Sequence, residues 1–199
     1  MAAFDLPPIR RIVTGDDAQG HSRIIEDAPC ACVRTVPERP NYRSVNVWRT
    51  TEAPALIEAP DTIAQHQGIL PPGQGGNILR IIDIPPESKD PQERQRQISA
   101  MFRGMFSDAH HDQRQGVHPG MHKTLTVDYA IVLQGEIYAV MDEGETLMRA
   151  GDVLIQRGTN HAWANRGTKR ARVAFVLVDA EPLGCTEHLR SRENEHHPR

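Results

Sequence analysis

The 199-residue sequence predicts an all-β fold: one antiparallel β-barrel or sandwich, with extra strands on its N-terminal side and one amphipathic helix. Three observations predict it. Residues 121–180 hold the strand-like runs TVDYAIVL, EIYAVM, ETLMR, DVLIQ and ARVAFVLV, five strands separated by the glycine turns QGE, DEGE, RAGD and NRGTK; turns this short join antiparallel neighbours. Residues 10–60 add RIVTG, SRIIEDA and SVNVWRT, and ILRIIDI follows at 78–84, all β-prone and bounded by turn chemistry. One segment between these two regions has a helical period.

Taken in order, DDAQG, PERPN and TEAPA punctuate the first three runs, and LPPGQGGN precedes ILRIIDI. PPESKDP ends that strand, because proline supplies no ladder donor. From Pro91 to Phe106 the apolar residues Ile98, Met101, Phe102, Met105 and Phe106 recur at i, i+3, i+4, i+7 and i+8, which predicts a helix with one apolar face. That face reads as core packing, and a Met-rich helix beside a pocket also suits an adaptable lid. SDAHHDQRQGVHPG is polar and aperiodic, so His110, His111 and His118 read as loop histidines. The tail EHLRSRENEHHPR is charged and nearly free of apolar residues, which predicts disorder. The organisation expected is 1–90, N-terminal strands packing on the barrel; 91–120, helix and loop; 121–180, the barrel; and 181–199, the tail.

Charge and cysteine content exclude several function classes. The formal net charge is −3, from 23 Lys and Arg against 26 Asp and Glu, with no long block of one sign, so neither nucleic acid nor an anionic membrane is an expected partner. Cys30, Cys32 and Cys185 are odd in number and do not form a disulfide framework, which suits a reducing compartment. CAC reads as half-buried strand. MAAFDLPPIRRIV breaks any signal-like apolar stretch, and no segment approaches about 18 apolar residues. A soluble, cytoplasmic protein is expected.

The chemistry-bearing residues follow from strand parity. In HKTLTVD, His122, Thr124, Thr126 and Asp128 share one face; in GTNHAWAN, His161, Trp163 and Asn165 do. A closed sheet can bring His161 opposite His122. Two imidazoles and the Asp128 carboxylate suit a divalent ion (Zn, Fe, Mn, Ni or Co), and three protein ligands leave positions open for water or substrate, which favours catalysis over a structural role. The competing reading is two ordinary barrel histidines with Asp128 capping a turn. Trp163 and Tyr129 read first as packing residues.

The stretch from His122 to Asn165 resembles the cupin superfamily. Its first motif has two histidines one residue apart, then a glutamate, then a glycine; His122, Asp128 and Gly135 match in spacing, with Asp for Glu and Thr124 in place of the second histidine. Its second motif is matched by Gly151, Gly158, His161 and Asn165, with Gln156 where the family has proline. HKTLTVDY and QRGTNHAWAN are similar to small single-barrel bacterial and fungal members. The resemblance implies a jelly-roll-like cupin barrel, a divalent metal on His122, His161 and Asp128, and a homodimer built on the N-terminal strands. Asp128 is one methylene shorter than glutamate, so it either ligates the ion or acts as an acid or base beside it. Thr124, Thr126, Trp163 and Asn165 are expected to face substrate.

The resulting expectation is a metal-dependent small-molecule enzyme, a lyase or isomerase dehydrating or decarboxylating an oxygenated organic acid or polyketide-like compound. Catalysis would fall to Asp128, His161 and Thr124. The alternatives are a non-haem Fe(II) dioxygenase, whose facial triad is also two histidines and a carboxylate, and a non-catalytic ligand-binding cupin.

Overall fold

The computed structural model describes residues 6–181; the charged tail and Cys185 lie outside the described residues. The chain opens with a hairpin, β1 (Arg10–Asp16) and β2 (Ser22–Pro29), which forms a two-stranded sheet of its own. Then come β3 (Val33–Thr35), β4 (Arg43–Thr50), a short 3-10 turn (Ile63–Gln65) and β5 (Asn77–Ile84), followed by the helix α1 (Pro91–Met105). The remainder is β6 (His110–His111), β7 (His122–Lys123), β8 (Thr126–Gln134), β9 (Glu136–Met141), β10 (Glu145–Arg149), β11 (Val153–Arg157), β12 (His161–Ala164) and β13 (Ala171–Asp179).

Two antiparallel sheets enclose the core. One has the order β10-β9-β12-β7-β6, the other β11-β8-β13-β5-β4-β3, the two-layer arrangement of a jelly-roll barrel. Strand β13 lies between β8 and β5, pairing along its length with both, so β5, β4 and β3 continue the same sheet as the C-terminal strands. Gly135 makes the sharp β8–β9 turn at φ 76°, where a Cβ would stand 2.9 Å from the Arg170 carbonyl oxygen, so only glycine fits.

The helix forms where the apolar period placed it. Asp90 caps it, accepting from the Gln92 N–H at 2.9 Å, and Pro91 sits at the first helical position, where its missing N–H costs nothing. Ile98, Met101, Phe102, Met105 and Phe106 are all buried. The expected apolar face is therefore core, and part of it also walls the cavity described below.

Three elements depart from the sequence reading. β3 and β6 are strands of three and two residues, too short for a period of two to register. HKTLTVD, read as one strand, is interrupted: β7 pairs in the five-stranded sheet and β8 in the six-stranded one. Cys30 and Cys32 are free thiols between β2 and β3, the first buried and the second half-buried. No helix among the described residues is long and apolar enough to cross a membrane.

Charge is buried at one point beneath the N-terminal segment. Asp83, on β5, receives the guanidinium groups of Arg43 and Arg172, the latter at 2.6 Å, and both arginines also donate to the Pro7 carbonyl. All three side chains are nearly inaccessible. Removing the carboxylate leaves two buried cations uncompensated. Asp83→Ala should cost about 3–5 kcal/mol, seen as a lower urea midpoint; a loss near zero would show that the cluster is not ion-paired in solution.

Candidate active site

The site lies between the two sheets, in a cavity of about 660 Å³ including its opening. Its apolar walls come from β5, α1 and β13, with Ile82, Ile84, Phe102 and Phe175 among them. His122, His161, Asp128 and Trp163 also line it.

His161 is the register partner of His122 across β12 and β7, and their ring centroids are 4.3 Å apart. His111 is the partner of His122 on the other side, so three histidines occupy one row of three strands. The His111 ring stacks on Phe102 at 4.2 Å, and its Nε2 bonds to the Pro119 carbonyl at 2.7 Å. This histidine was read from sequence as loop, because a two-residue strand leaves no pattern.

Backbone carbonyls fix the tautomers of the central pair. His122 Nδ1 donates to Gly120 O at 2.8 Å and His161 Nδ1 to Thr159 O at 3.0 Å; a carbonyl can only accept, so Nε2 holds the lone pair in each ring. Burial holds both rings neutral, pushing the pKa of His122 down to about 3, with His161 contributing, and that of His161 down to about 4. Each ring is braced from behind. The Gly120 N–H donates to His118 Nδ1, whose Nε2 donates to Glu87 at 2.9 Å, and the Gln156 amide shares the Thr159 carbonyl with His161. His118 and Glu87 were not read as site residues; their link spans 31 positions and leaves no local signal.

Asp128 faces the cavity from the other sheet. Its carboxyl is buried and Oδ1 has no hydrogen-bond partner. Burial raises its pKa from 3.8 to about 6, opposed by the Thr126 hydroxyl and by Arg80. Thr126 donates to Thr124 at 2.7 Å, and both are buried. Gln156 is the β11 register partner of Asp128. Trp163 packs edge-on between His161 at 5.6 Å and Phe175 at 5.2 Å. Asn165, expected to face substrate, instead donates to Ile84 O and Lys169 O and accepts from the Gly167 N–H. Its amide therefore ties the β12–β13 turn to β5.

The structure thus brings His122 and His161 together and sets Asp128 on the opposite wall. Two Nε2 lone pairs and an unpartnered carboxylate oxygen are suitable donors for a divalent ion, and on that chemistry the residues fit one. Among the described residues, no three His, Cys, Asp or Glu side chains are gathered closely enough to form a ready site. His122 and His161 would hold the ion.

The raised Asp128 pKa gives a stability signature. The folded state binds the proton more tightly than the unfolded chain, so stability is lost as pH rises from 3.8 to about 6 and stays lost above. Asp128→Asn removes that loss. Its stability relative to the parent should be higher at pH 8 than at pH 3.5 by roughly 3 kcal/mol, measured by urea unfolding at both values; a pH-independent difference would show an ordinary carboxylate.

Comparison with known proteins agrees with this geometry. The type-2 cupin-domain family model matches residues 111–178. Phomopsin biosynthesis cluster protein C' of Diaporthe leptostromiformis is 32% identical over 181 residues, covering 87% of this chain and 79% of that protein. A cupin-domain-containing oxidoreductase of Hypocrea virens is 26% identical over 92% of this chain and 84% of its own length. Oryzines biosynthesis cluster protein J of Aspergillus oryzae is 43% identical over 74 residues, which are 36% of this chain and 41% of that protein. A matched barrel, a histidine pair in register and a relative aligned along most of both chains together place this chain in the cupin superfamily, as a type-2 single-barrel member.

Proposed function

We propose that the protein is a small-molecule enzyme that moves a proton on an oxygenated organic acid or polyketide-like compound, as a lyase or isomerase. One observation carries the reading: a buried carboxyl with an unpartnered oxygen and a pKa near 6 faces the same apolar cavity as two neutral imidazoles. A group with that pKa exchanges protons readily near neutrality.

Substrate binds against the apolar wall, which excludes water. The ionised Asp128 carboxylate takes the proton from the carbon next to a carbonyl, and the resulting carboxylic acid returns it. Returned to a departing β-hydroxyl, it releases water and leaves a C=C bond; returned to another carbon, it gives an isomer. A divalent ion bound by His122 and His161 would supply Lewis acidity toward the substrate's carbonyl.

A second reading, an Fe(II)-dependent oxygenase, is supported by the oxidoreductase name of the Hypocrea virens relative. Oxygen use separates the two. A panel of 3-hydroxy acids in D₂O with Zn, Mn or Fe(II) should show deuterium at C2 without O₂ uptake, and Asp128→Asn should slow exchange by about 100-fold. O₂ consumption matching turnover would replace this proposal with the second reading. His161→Ala should lose most of the metal found in untagged protein, whereas full metal content would remove the ion from this pair.

The β1–β2 hairpin belongs to neither barrel sheet and leaves Ile12, Ile24 and Ile25 about half exposed or more. It supports the homodimer we propose. Sedimentation should give twice the chain mass, and Ile24→Glu with Ile25→Glu should give the monomer; a monomeric parent would refute the assembly.

A further inference from the structure

Two arginines line the cavity that the proton chemistry leaves unused. Arg39 is 5% exposed and Arg80 is 1% exposed. Arginine stays protonated in proteins, so each buried guanidinium needs compensation. Neither has a carboxylate ion-pair partner among the described residues, but their hydrogen bonding differs completely.

Arg80 is nearly saturated. Nε donates to Asn46 Oδ1 at 2.8 Å, Nη2 to Gly68 O at 2.8 Å, and Nη1 to Ile69 O at 3.4 Å. His66 Nε2 stands 3.3 Å from Nη2, and the guanidinium lies over the Phe106 ring. These contacts take up four of its five N–H donors and tie this arginine to the backbone around β5.

Arg39 is not saturated. It sits in the β3–β4 turn, whose backbone is closed by Arg39 N to Val36 O at 3.1 Å and Tyr42 N to Arg39 O at 3.2 Å. Its one side-chain hydrogen bond among the described residues runs from Nη1 to the Met101 sulfur at 3.0 Å, and its guanidinium carbon lies 4.7 Å from the Tyr42 ring centre. A thioether is a weak acceptor, and a guanidinium has five N–H donors. Its phenolic and acidic neighbours act on it only through space: Glu87 makes its hydrogen bond with His118, and burial keeps the Tyr42 phenol protonated, its pKa pushed up to about 12. The result is a held, desolvated cation with free donors, opening on a cavity whose other walls are largely apolar.

The geometry points to Arg39 as the anchor for a ligand carboxylate, with an apolar carbon body lying along α1 and β13 toward His122, His161 and Asp128. The ligand class is an amphiphilic organic acid. A carboxylate accepts two parallel N–H bonds from a guanidinium, which supplies the charge and acceptors that Met101 and Tyr42 do not. This deepens the function proposed above and rests on it for the identity of the pocket as the substrate site.

Binding, measured apart from turnover, tests the anchor. Calorimetry at pH 8 with octanoate and octanamide compares one body with and without charge. Octanoate should bind the parent protein more tightly by about tenfold or more, and Arg39→Met, which keeps the bulk of the side chain, should bring octanoate down to the amide's affinity. Equal affinity of the two ligands for the parent, or no octanoate binding up to its solubility limit, would overturn the assignment without any variant. An Arg39→Met protein that folds, by circular dichroism, and keeps the carboxylate preference would overturn it as well. Asp128→Asn should lose deuterium exchange and retain the preference. In the parent protein, exchange without the carboxylate preference sinks the anchor alone, and the preference without exchange sinks the proton chemistry alone.

Discussion

The interruption between β7 and β8 is the constraint on which the site depends. At Thr124–Leu125 the chain leaves the five-stranded sheet and enters the six-stranded one. The break is stabilised from both sides: Leu125 O accepts from the Ala180 N–H, and Gly158, at φ 61°, approaches so closely that its Cβ would lie 3.3 Å from Thr124 O. An uninterrupted strand would have kept His122 and Asp128 on one face but about 20 Å apart, at about 3.3 Å per residue. The crossing turns the chain, so that the two line one cavity from different sheets.

The imidazole wall is held by hydrogen bonds behind its rings. Two backbone carbonyls choose the tautomers, and behind those carbonyls stand a Glu87–His118 pair and the Gln156 amide. Gln156 takes the place of the family's proline and is the register partner of Asp128, so one residue touches the supports of both walls. Ring orientation fixed in this way means that binding a ligand or ion need not order the side chains first.

Buried arginine occurs here in three electrostatic environments. Arg43 and Arg172 meet a carboxylate and contribute to the fold. Arg80 meets carbonyls and an amide, which satisfy most of its donors while leaving its positive field directed toward Asp128. Arg39 has neither. Since an unpaired buried ion costs several kcal/mol, that difference separates the arginines serving the fold from the one placed to serve a ligand.

Local pattern determined much of this protein. Period-two runs and glycine turns gave the long strands, the i, i+3, i+4 spacing gave α1 and its buried face, and the parity of HKTLTVD and GTNHAWAN placed His122, Thr124, Thr126, Asp128 and His161 inward. These features are encoded within a few residues of each other, where backbone geometry alone fixes which side chains share a face. The tertiary structure decided the rest: that His122 and Asp128 lie in different sheets, that His111 joins the histidine row, that Asn165 ties a turn, that Arg39 and His118 line the cavity, and that Glu87 bonds His118. Each of those depends on a register or a hydrogen bond between segments tens of residues apart, and no local periodicity records which distant strand will become a neighbour.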